Sequence, residues 1–287
     1  MPEPARAHSL LDVELKKWDE DFCFLLDCFR AALGRIGESD LGTFVADVFS
    51  RTPQTTGLPP RGSQALSMAF QLLTMAEENT ANQVRRMRET VGGPASEPGT
   101  WPYQLHQLSA AAFDERNVRR VLPSIHVQPV LTAHPTEAKR PSVLERHREI
   151  YLMLVERENP TKTPMEQQAL QQRLEDSLER LWRTGELLQE RPDVESEVRN
   201  TLHYVSNVFP GVLQLLSERF RLSWEWAFPG TEPPVEPGLS FGTWVGGDRD
   251  GHPFVTTQVT RYALKVLQAR TLAVLRESRP LPRVWLC

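Results

Sequence analysis

A polar loop at residues 134–140 gathers side chains suited to proton transfer beside an anion. Its sequence, HPTEAKR, supplies an imidazole, a hydroxyl, a carboxylate and two cations in succession. Imidazole titrates near neutral pH, Pro135 stiffens the backbone beside His134, and Lys139 and Arg140 would attract a phosphate or carboxylate. The alternative is a structural histidine bonded to the backbone, with a solvated Lys139-Arg140 pair. The residue types alone leave both interpretations open.

A second polar loop, GGDRDG at residues 246–251, could hold an anion through Arg249. Its glycines allow the backbone to approach a ligand closely. Asp248 and Asp250 flank the arginine and could either aim its guanidinium at an oxyanion or lock it in a structural ion pair. The loop lacks the alternating oxygen ligands and distant Glu of a calcium-binding EF-hand loop. The sequence therefore leaves open whether this loop has a structural packing role or contacts a substrate.

Each loop follows a short apolar run that predicts a buried strand. The runs are Ile125–Leu131 and Leu239–Val245, and a helical pattern follows each loop. Strand, polar loop and helix form the repeating unit of β/α barrels, whose active sites lie at the strand ends. We therefore expect parallel strands at about residues 126–132 and 240–246, with His134 and Arg249 approaching each other at one end of a shared sheet.

The rest of the chain is predicted to be mainly helical. A helix from Ser63 should end at the Gly-Gly-Pro of residues 92–94, and a capping box starts the next clear helix at Thr163. Asp193 should cap a further helix, which Pro210 should kink or break. The apolar faces are expected to carry the following residues: Leu66, Ala69, Phe70, Leu73 and Ala76; Leu170, Leu174, Leu178 and Leu181; Val198, Leu202, Val205 and Phe209.

Composition narrows the function classes. The net charge of −4 gives no reason to expect nucleic acid or an anionic membrane as a partner. The three cysteines (Cys23, Cys28 and Cys287) have neither zinc-site nor disulfide-scaffold spacing. No apolar stretch is long enough for a signal peptide or a membrane span. We expect a reduced, cytoplasmic protein.

Three segments resemble the phosphoenolpyruvate carboxylase family. They are VLTAHPTEAKR at 130–140, WVGGDRDGHPFVT at 244–256 and AEENTANQVRRMR at 76–88. Their order and separation are also similar to the family's, and the resemblance covers roughly residues 10–275, the N-terminal part of a member. His252 stands where the family usually has Asn, and Pro141 where a basic residue is common.

The resemblance implies a fold and an activity. The fold would be mainly α with a few parallel strands, the N-terminal part of an α-helical (β/α)8-type barrel enzyme with the barrel incomplete in this chain. Residues 1–123 would form a helical region, residues 124–277 would start the barrel with two strand-loop-helix units and inserted helices, and residues 278–287 would be an atypical tail. Family members convert phosphoenolpyruvate and bicarbonate to oxaloacetate and phosphate, and they are typically tetramers regulated by metabolites.

The resemblance also assigns site residues. His134 matches the catalytic histidine, while Arg249, Arg140, Lys139 and Asp248 are implied to bind substrate or shape the site. A divalent ion, Mg²⁺ or Mn²⁺, is implied as the cofactor, but its ligands belong to the part of the family that this chain does not resemble. The catalytic lysine, the glycine-rich loop and several substrate arginines belong there too.

These implications lead to an expectation about the chain itself. Its last residues, RESRPLPRVWLC, do not resemble the family, so we expect a truncated, inactive and poorly soluble fragment. Two alternatives remain: a non-catalytic helical interaction fragment, and an enzyme of another class that uses His134 as a phosphohistidine.

Overall fold

The computed structural model describes residues 4–50, 52–132, 141–184, 193–250 and 253–277. This part of the chain is mainly helical. Its α-helices are α1 (Pro4–Arg35), α2 (Ser39–Val48), α3 (Gly62–Gly92), α4 (Trp101–Ala110), α5 (Glu115–Val121), α6 (Pro141–Arg157), α7 (Pro164–Thr184), α8 (Val194–His203), α9 (Phe209–Ala227) and α10 (Thr257–Glu277). Its strands are β1 (His126–Val127), β2 (Val130–Leu131), β3 (Gly238–Leu239) and β4 (Gly242–Thr243). No described helix combines the length and apolar character needed to cross a membrane.

The predicted helix starts are confirmed by their caps. The Thr163 backbone N–H donates to the Glu166 carboxylate at 2.8 Å, and the Glu166 N–H donates to the Thr163 hydroxyl at 3.4 Å. The bond from the Thr163 backbone N–H, together with one from the Thr163 hydroxyl at 2.9 Å, lowers the pKa of the Glu166 carboxyl. The Asp193 carboxylate accepts from the Ser196 N–H at 2.8 Å, which caps α8. Both starts follow from short polar side chains that satisfy backbone donors left free at a helix N-terminus.

The break expected at Pro210 is also present. Residues 204–208 form one π-helical turn between α8 and α9. Pro210 occupies the first turn of α9, where its missing N–H costs no helical hydrogen bond.

The contacts between residues divide the chain into two compact structural units. The first comprises Met1–Met87 and Lys139–Leu188. Its core is built from α1, α2, α3, α6 and α7, and the largest fully buried side chains there include Phe29, Leu72 and Trp182. The predicted face of α3 is partly wrong: Ala69 and Ala76 are buried, but Phe70 is 54% exposed. The buried stripe instead runs through Met68 and Leu72, and Phe70 packs edge-on against Phe49.

The second unit comprises Arg88–Ala138 and Gln189–Cys287. One apolar cluster joins α4, α5 and α9 around Trp224, and another joins α8, α10 and the end of the β4 segment around Val245. The domain boundaries expected after residues 123 and 277 stay predictions.

The strands pair in parallel, as predicted. β1 pairs with β3 in the register His126↔Gly238, and β2 pairs with β4 in the register Leu131↔Thr243. Four backbone N–H groups at alternate positions from 238 to 244 donate to carbonyls of residues 125–131 at 2.9–3.0 Å. Pro129, which has no N–H to donate, lies between β1 and β2 and accounts for the interruption.

The expectation of buried strands is wrong. Val127 is 53% exposed and Val130 43% exposed. Within the described residues each strand has one partner, and the sheets have two strands each and form no closed barrel. A two-stranded ribbon leaves both edges and much of its surface open.

Candidate functional site

The parallel pairing determines where the two polar loops begin. Leu131 and Thr243 are register partners at the ends of β2 and β4. Because paired parallel strands run in the same direction, both loops leave the sheet at the same edge. His134, Lys139 and Arg140 lie outside the described residues, so the predicted approach of His134 to Arg249 stays a prediction.

A histidine and a serine join the two strand segments across β1 and β3. The His126 Nε2 and the Ser240 hydroxyl are 2.8 Å apart, and Ser240 is fully buried. The His126 ring lies directly over Gly238, where an added Cβ would come within 2.6 Å of Nδ1. The sequence prediction missed this contact, although a histidine inside an apolar run was a visible signal.

The start of the GGDRDG loop is a tight turn that packs on helices. The Trp244 carbonyl accepts from the N–H groups of Gly247 and Asp248 at 2.9 and 3.0 Å. Gly246 has a φ of +73°, and a Cβ there would meet the Ala263 Cβ at 2.8 Å. This glycine therefore provides both the left-handed backbone conformation and the close approach of the loop to α10.

The side chains of the GGDRDG loop form hydrogen bonds that decide between the two interpretations of Arg249 and its flanking carboxylates for the described residues. The Asp248 carboxylate accepts from the Asp250 N–H at 3.0 Å, a local turn bond. The Arg249 guanidinium donates to the Thr260 hydroxyl on α10 at 3.3 Å. Within the described part of the chain, Arg249 forms no salt bridge with a carboxylate, so the structural ion pair considered from the sequence is not formed there.

The long loop before β3 is held by aromatic side chains. Arg119 lies over the Trp224 ring and donates to the Glu232 carbonyl. The Trp224 indole N–H donates to Thr231 at 2.9 Å. Further along, Phe241 stacks on Phe209 at the start of α9, with ring centroids 3.9 Å apart. These contacts fix the chain that leads into β3 and β4.

The described carboxylates near the loops do not form a metal site. Asp248 is already bonded to the backbone, and burial raises the pKa of Glu236. Within the described ranges, no three His, Cys, Asp or Glu side chains lie close enough together to hold an ion. The described residues therefore do not fit the Mg²⁺ or Mn²⁺ that the family resemblance implies.

The two strands that precede the motif segments thus end at one edge of a parallel pair within a mainly helical fold, and parallel strands of this kind occur in enzymes built from strand-loop-helix units. The family model described as phosphoenolpyruvate carboxylase matches residues 60–278. The chain belongs to the phosphoenolpyruvate carboxylase family.

Several curated relatives carry that name. The phosphoenolpyruvate carboxylase of Methylorubrum extorquens is 36% identical over 85% of this chain and 25% of its own length. The relative from Azorhizobium caulinodans is 34% identical over 75% of this chain and 23% of its own length. The relative from Gloeobacter violaceus is 30% identical over 76% of this chain and 24% of its own length. The chain therefore spans about a quarter of the length of these relatives.

Proposed function

We propose that this chain supplies the His134 loop of a phosphoenolpyruvate carboxylase but does not complete the reaction by itself. The reaction joins phosphoenolpyruvate and bicarbonate to give oxaloacetate and phosphate. The observation that supports the proposal is the register of the parallel strands, in which β2 and β4, the strands that precede the HPTEAKR and GGDRDG segments, end at one edge. The family match over residues 60–278 connects those segments to this reaction.

His134 is proposed as the catalytic residue. In the reaction implied by the family, a bicarbonate oxygen attacks phosphorus, which gives carboxyphosphate and the enolate of pyruvate. Carboxyphosphate loses its proton and splits into carbon dioxide and phosphate, and the enolate carbon then bonds to carbon dioxide. A histidine can accept the carboxyphosphate proton or hydrogen-bond to it near neutral pH.

The remaining candidate residues are proposed to bind the anions or to shape the site. Lys139 and Arg140 bring positive charge close to His134 in the sequence. Arg249 has a hydrogen-bond partner in Thr260 and no salt-bridge partner among the described residues, which leaves its charge available to an oxyanion. Asp248 is proposed to shape the loop, because its carboxylate accepts from the Asp250 N–H.

A coupled assay of oxaloacetate formation tests whether the chain works alone. The 287-residue chain and its His134→Asn variant are incubated with phosphoenolpyruvate, bicarbonate and magnesium. We expect background rates from both, because the groups that stabilise the enolate belong to the part of the family that this chain does not match, and such electrostatic stabilisation is usually the largest catalytic contribution.

Two results would contradict this expectation. Turnover above background that disappears in His134→Asn would show that the short chain is a working enzyme. Transfer of the phosphoryl group from isotopically labelled phosphoenolpyruvate to the chain, absent in His134→Asn, would instead support the phosphohistidine alternative.

A further inference from the structure

Burial does little to fix the register of the parallel strands. Each strand is two residues long, and Val127 and Val130 are 53% and 43% exposed. Burial of one face normally specifies the register of a strand, because a slip of one residue would turn every apolar side chain to the opposite face. Since these valines are largely exposed already, the register depends on other contacts.

The backbone ladder is also interrupted in its middle. The Ser240 N–H donates to the Val127 carbonyl at 3.0 Å. In a parallel pair of this register, the return bond to the Ser240 carbonyl would come from the N–H of residue 129. Residue 129 is a proline and has no N–H. The ladder therefore lacks one bond at Ser240, between β3 and β4.

A side-chain pair crosses between the strand segments at this point. The His126 Nε2 and the Ser240 hydroxyl are 2.8 Å apart, and Ser240 is fully buried. Gly238 leaves room for the imidazole, because an added Cβ there would lie 2.6 Å from Nδ1. A slip of one residue in either direction would place Pro237 or Leu239 opposite His126. The pair can therefore form only in the observed register.

The residue after Ser240 is also held in place. Phe241 stacks on Phe209 with ring centroids 3.9 Å apart, and successive side chains of extended backbone point to opposite faces. Contacts on both faces thus fix the segment directly before β4. At the far end of β4, the Trp244 N–H donates to the Leu131 carbonyl at 3.0 Å. The register held at Ser240 is thus continued to the edge at which β2 and β4 end.

We propose that His126 and Ser240 are positioning residues, whose side-chain pair sets the register of the strands that precede the HPTEAKR and GGDRDG segments. The inference rests on the proposed carboxylase function. Ser240 is fully buried and acts through the strands. Because a misplacement of about 1 Å can slow an enzyme by about a hundredfold, loss of the pair should act mainly on kcat.

The first test measures the strand edge and needs no carboxylase activity. Hydrogen exchange of the Trp244 amide is followed in the 287-residue chain. We expect His126→Leu and Ser240→Ala each to lower its protection by about tenfold or more. His126→Gln should retain most of the protection, because its amide supplies both a donor and an acceptor. The control is His203→Leu on α8, whose ring contacts Asn207 at 3.1 Å, and it should match the wild type.

The second test separates positioning from folding by kinetics. Residues 60–278, the family-matched range, replace the corresponding segment of the Methylorubrum extorquens relative, and kcat and KM for phosphoenolpyruvate are measured. We expect His126→Leu and Ser240→Ala each to lower kcat by about tenfold or more and to change KM by less than about twofold. The double variant should lose no more than the larger single loss, because the two side chains act as one pair. His126→Gln should recover most of kcat.

The outcomes distinguish this proposal from the carboxylase proposal. Unchanged Trp244 protection in both variants would overturn the register role, whatever the hybrid does. In an active hybrid, an unchanged kcat would overturn the positioning role. So would losses that add fully in the double variant, that His126→Gln does not restore, or that His203→Leu reproduces. A folded hybrid that is inactive with both wild-type residues would contradict the carboxylase proposal and with it the positioning role, while the exchange measurement still decides the register.

Discussion

Asp21 shows how a single buried residue joins several helices of the first unit. Its side chain is fully buried and accepts from Lys17 at 2.5 Å, from Asn79 at 2.8 Å and from Arg157 at 2.9 Å. These partners lie on α1, α3 and α6. Asn79 belongs to the family-like segment AEENTANQVRRMR, so at least this residue of the segment has a structural role in the described chain.

Replacing Asp21 should be strongly destabilising. Asp21→Asn keeps the shape but leaves Lys17 and Arg157 without their shared carboxylate, and breaking a buried pair in this way costs about 3–5 kcal/mol. Both cations retain some solvent contact, at 22% and 30% exposure. We therefore expect a loss of about 3 kcal/mol in the free energy of unfolding by urea.

Asp27→Asn provides the matched control on the same helix. Asp27 is 69% exposed and pairs with Arg30 at 3.1 Å. An exposed pair of this kind contributes less than about 1 kcal/mol. Equal losses for the two variants would contradict a special role for the buried carboxylate.

At the scale of elements, the contact between β1 and β3 depends on a glycine. An added Cβ at Gly238 would lie 2.6 Å from His126 Nδ1. The histidine ring cannot move aside freely, because its other nitrogen is bonded to the buried Ser240. At Gly242, in contrast, the nearest atom to an added Cβ is a Val130 methyl group at 3.5 Å, an ordinary contact distance.

Gly238→Ala and Gly242→Ala should therefore behave differently. We expect Gly238→Ala to cost about 1–3 kcal/mol in local stability, as overpacking usually does, and Gly242→Ala to cost little. Hydrogen exchange of the Ser240 amide, which donates to the Val127 carbonyl at 3.0 Å, measures this directly. Protection should fall by about tenfold or more in Gly238→Ala. Equal protection in both variants would show that the His126 ring does not constrain the strand pair.

The sequence predicted some elements well because their signals are local. The capping box at Thr163 and the cap at Asp193 need only their own helix turns, and both are present. Phe70 was predicted to be buried but is exposed, because periodicity defines a helix face only approximately and tertiary contacts decide which edge of it is covered. The presence of strands and their parallel pairing were predicted correctly. The predicted burial of the strands was wrong, because burial depends on which other elements pack against a strand, and a local sequence pattern does not contain that information.

At the scale of the whole molecule, large apolar side chains remain on the surface around the strand pair. Trp244, which directly follows β4, is 60% exposed, and Phe254, in the segment before α10, is 72% exposed. Apolar patches of this kind usually mark surfaces that other protein covers. They are consistent with the poor solubility expected from the sequence, which stays a prediction.

The candidate site was predictable only in part. The parallel strand pair before the two motif segments followed from the apolar runs, whereas the bond between His126 and Ser240 joins residues 114 positions apart in the sequence. The role of Arg249 at the site stays a prediction, and its bond to Thr260 depends on how α10 packs against the loop. Contacts of this kind arise from tertiary packing and cannot be predicted from the spacing of residues in the sequence.

The central claim, that this chain supplies the His134 loop of a phosphoenolpyruvate carboxylase, is tested most directly by segment exchange. Residues 60–278 replace the corresponding segment of the Methylorubrum extorquens relative, and oxaloacetate formation is measured. We predict activity that His134→Asn lowers by about 10²–10⁴-fold, the usual contribution of general acid–base catalysis, and that His203→Asn leaves unchanged. A correctly folded hybrid without activity, or one in which His134→Asn has no effect, would contradict the claim.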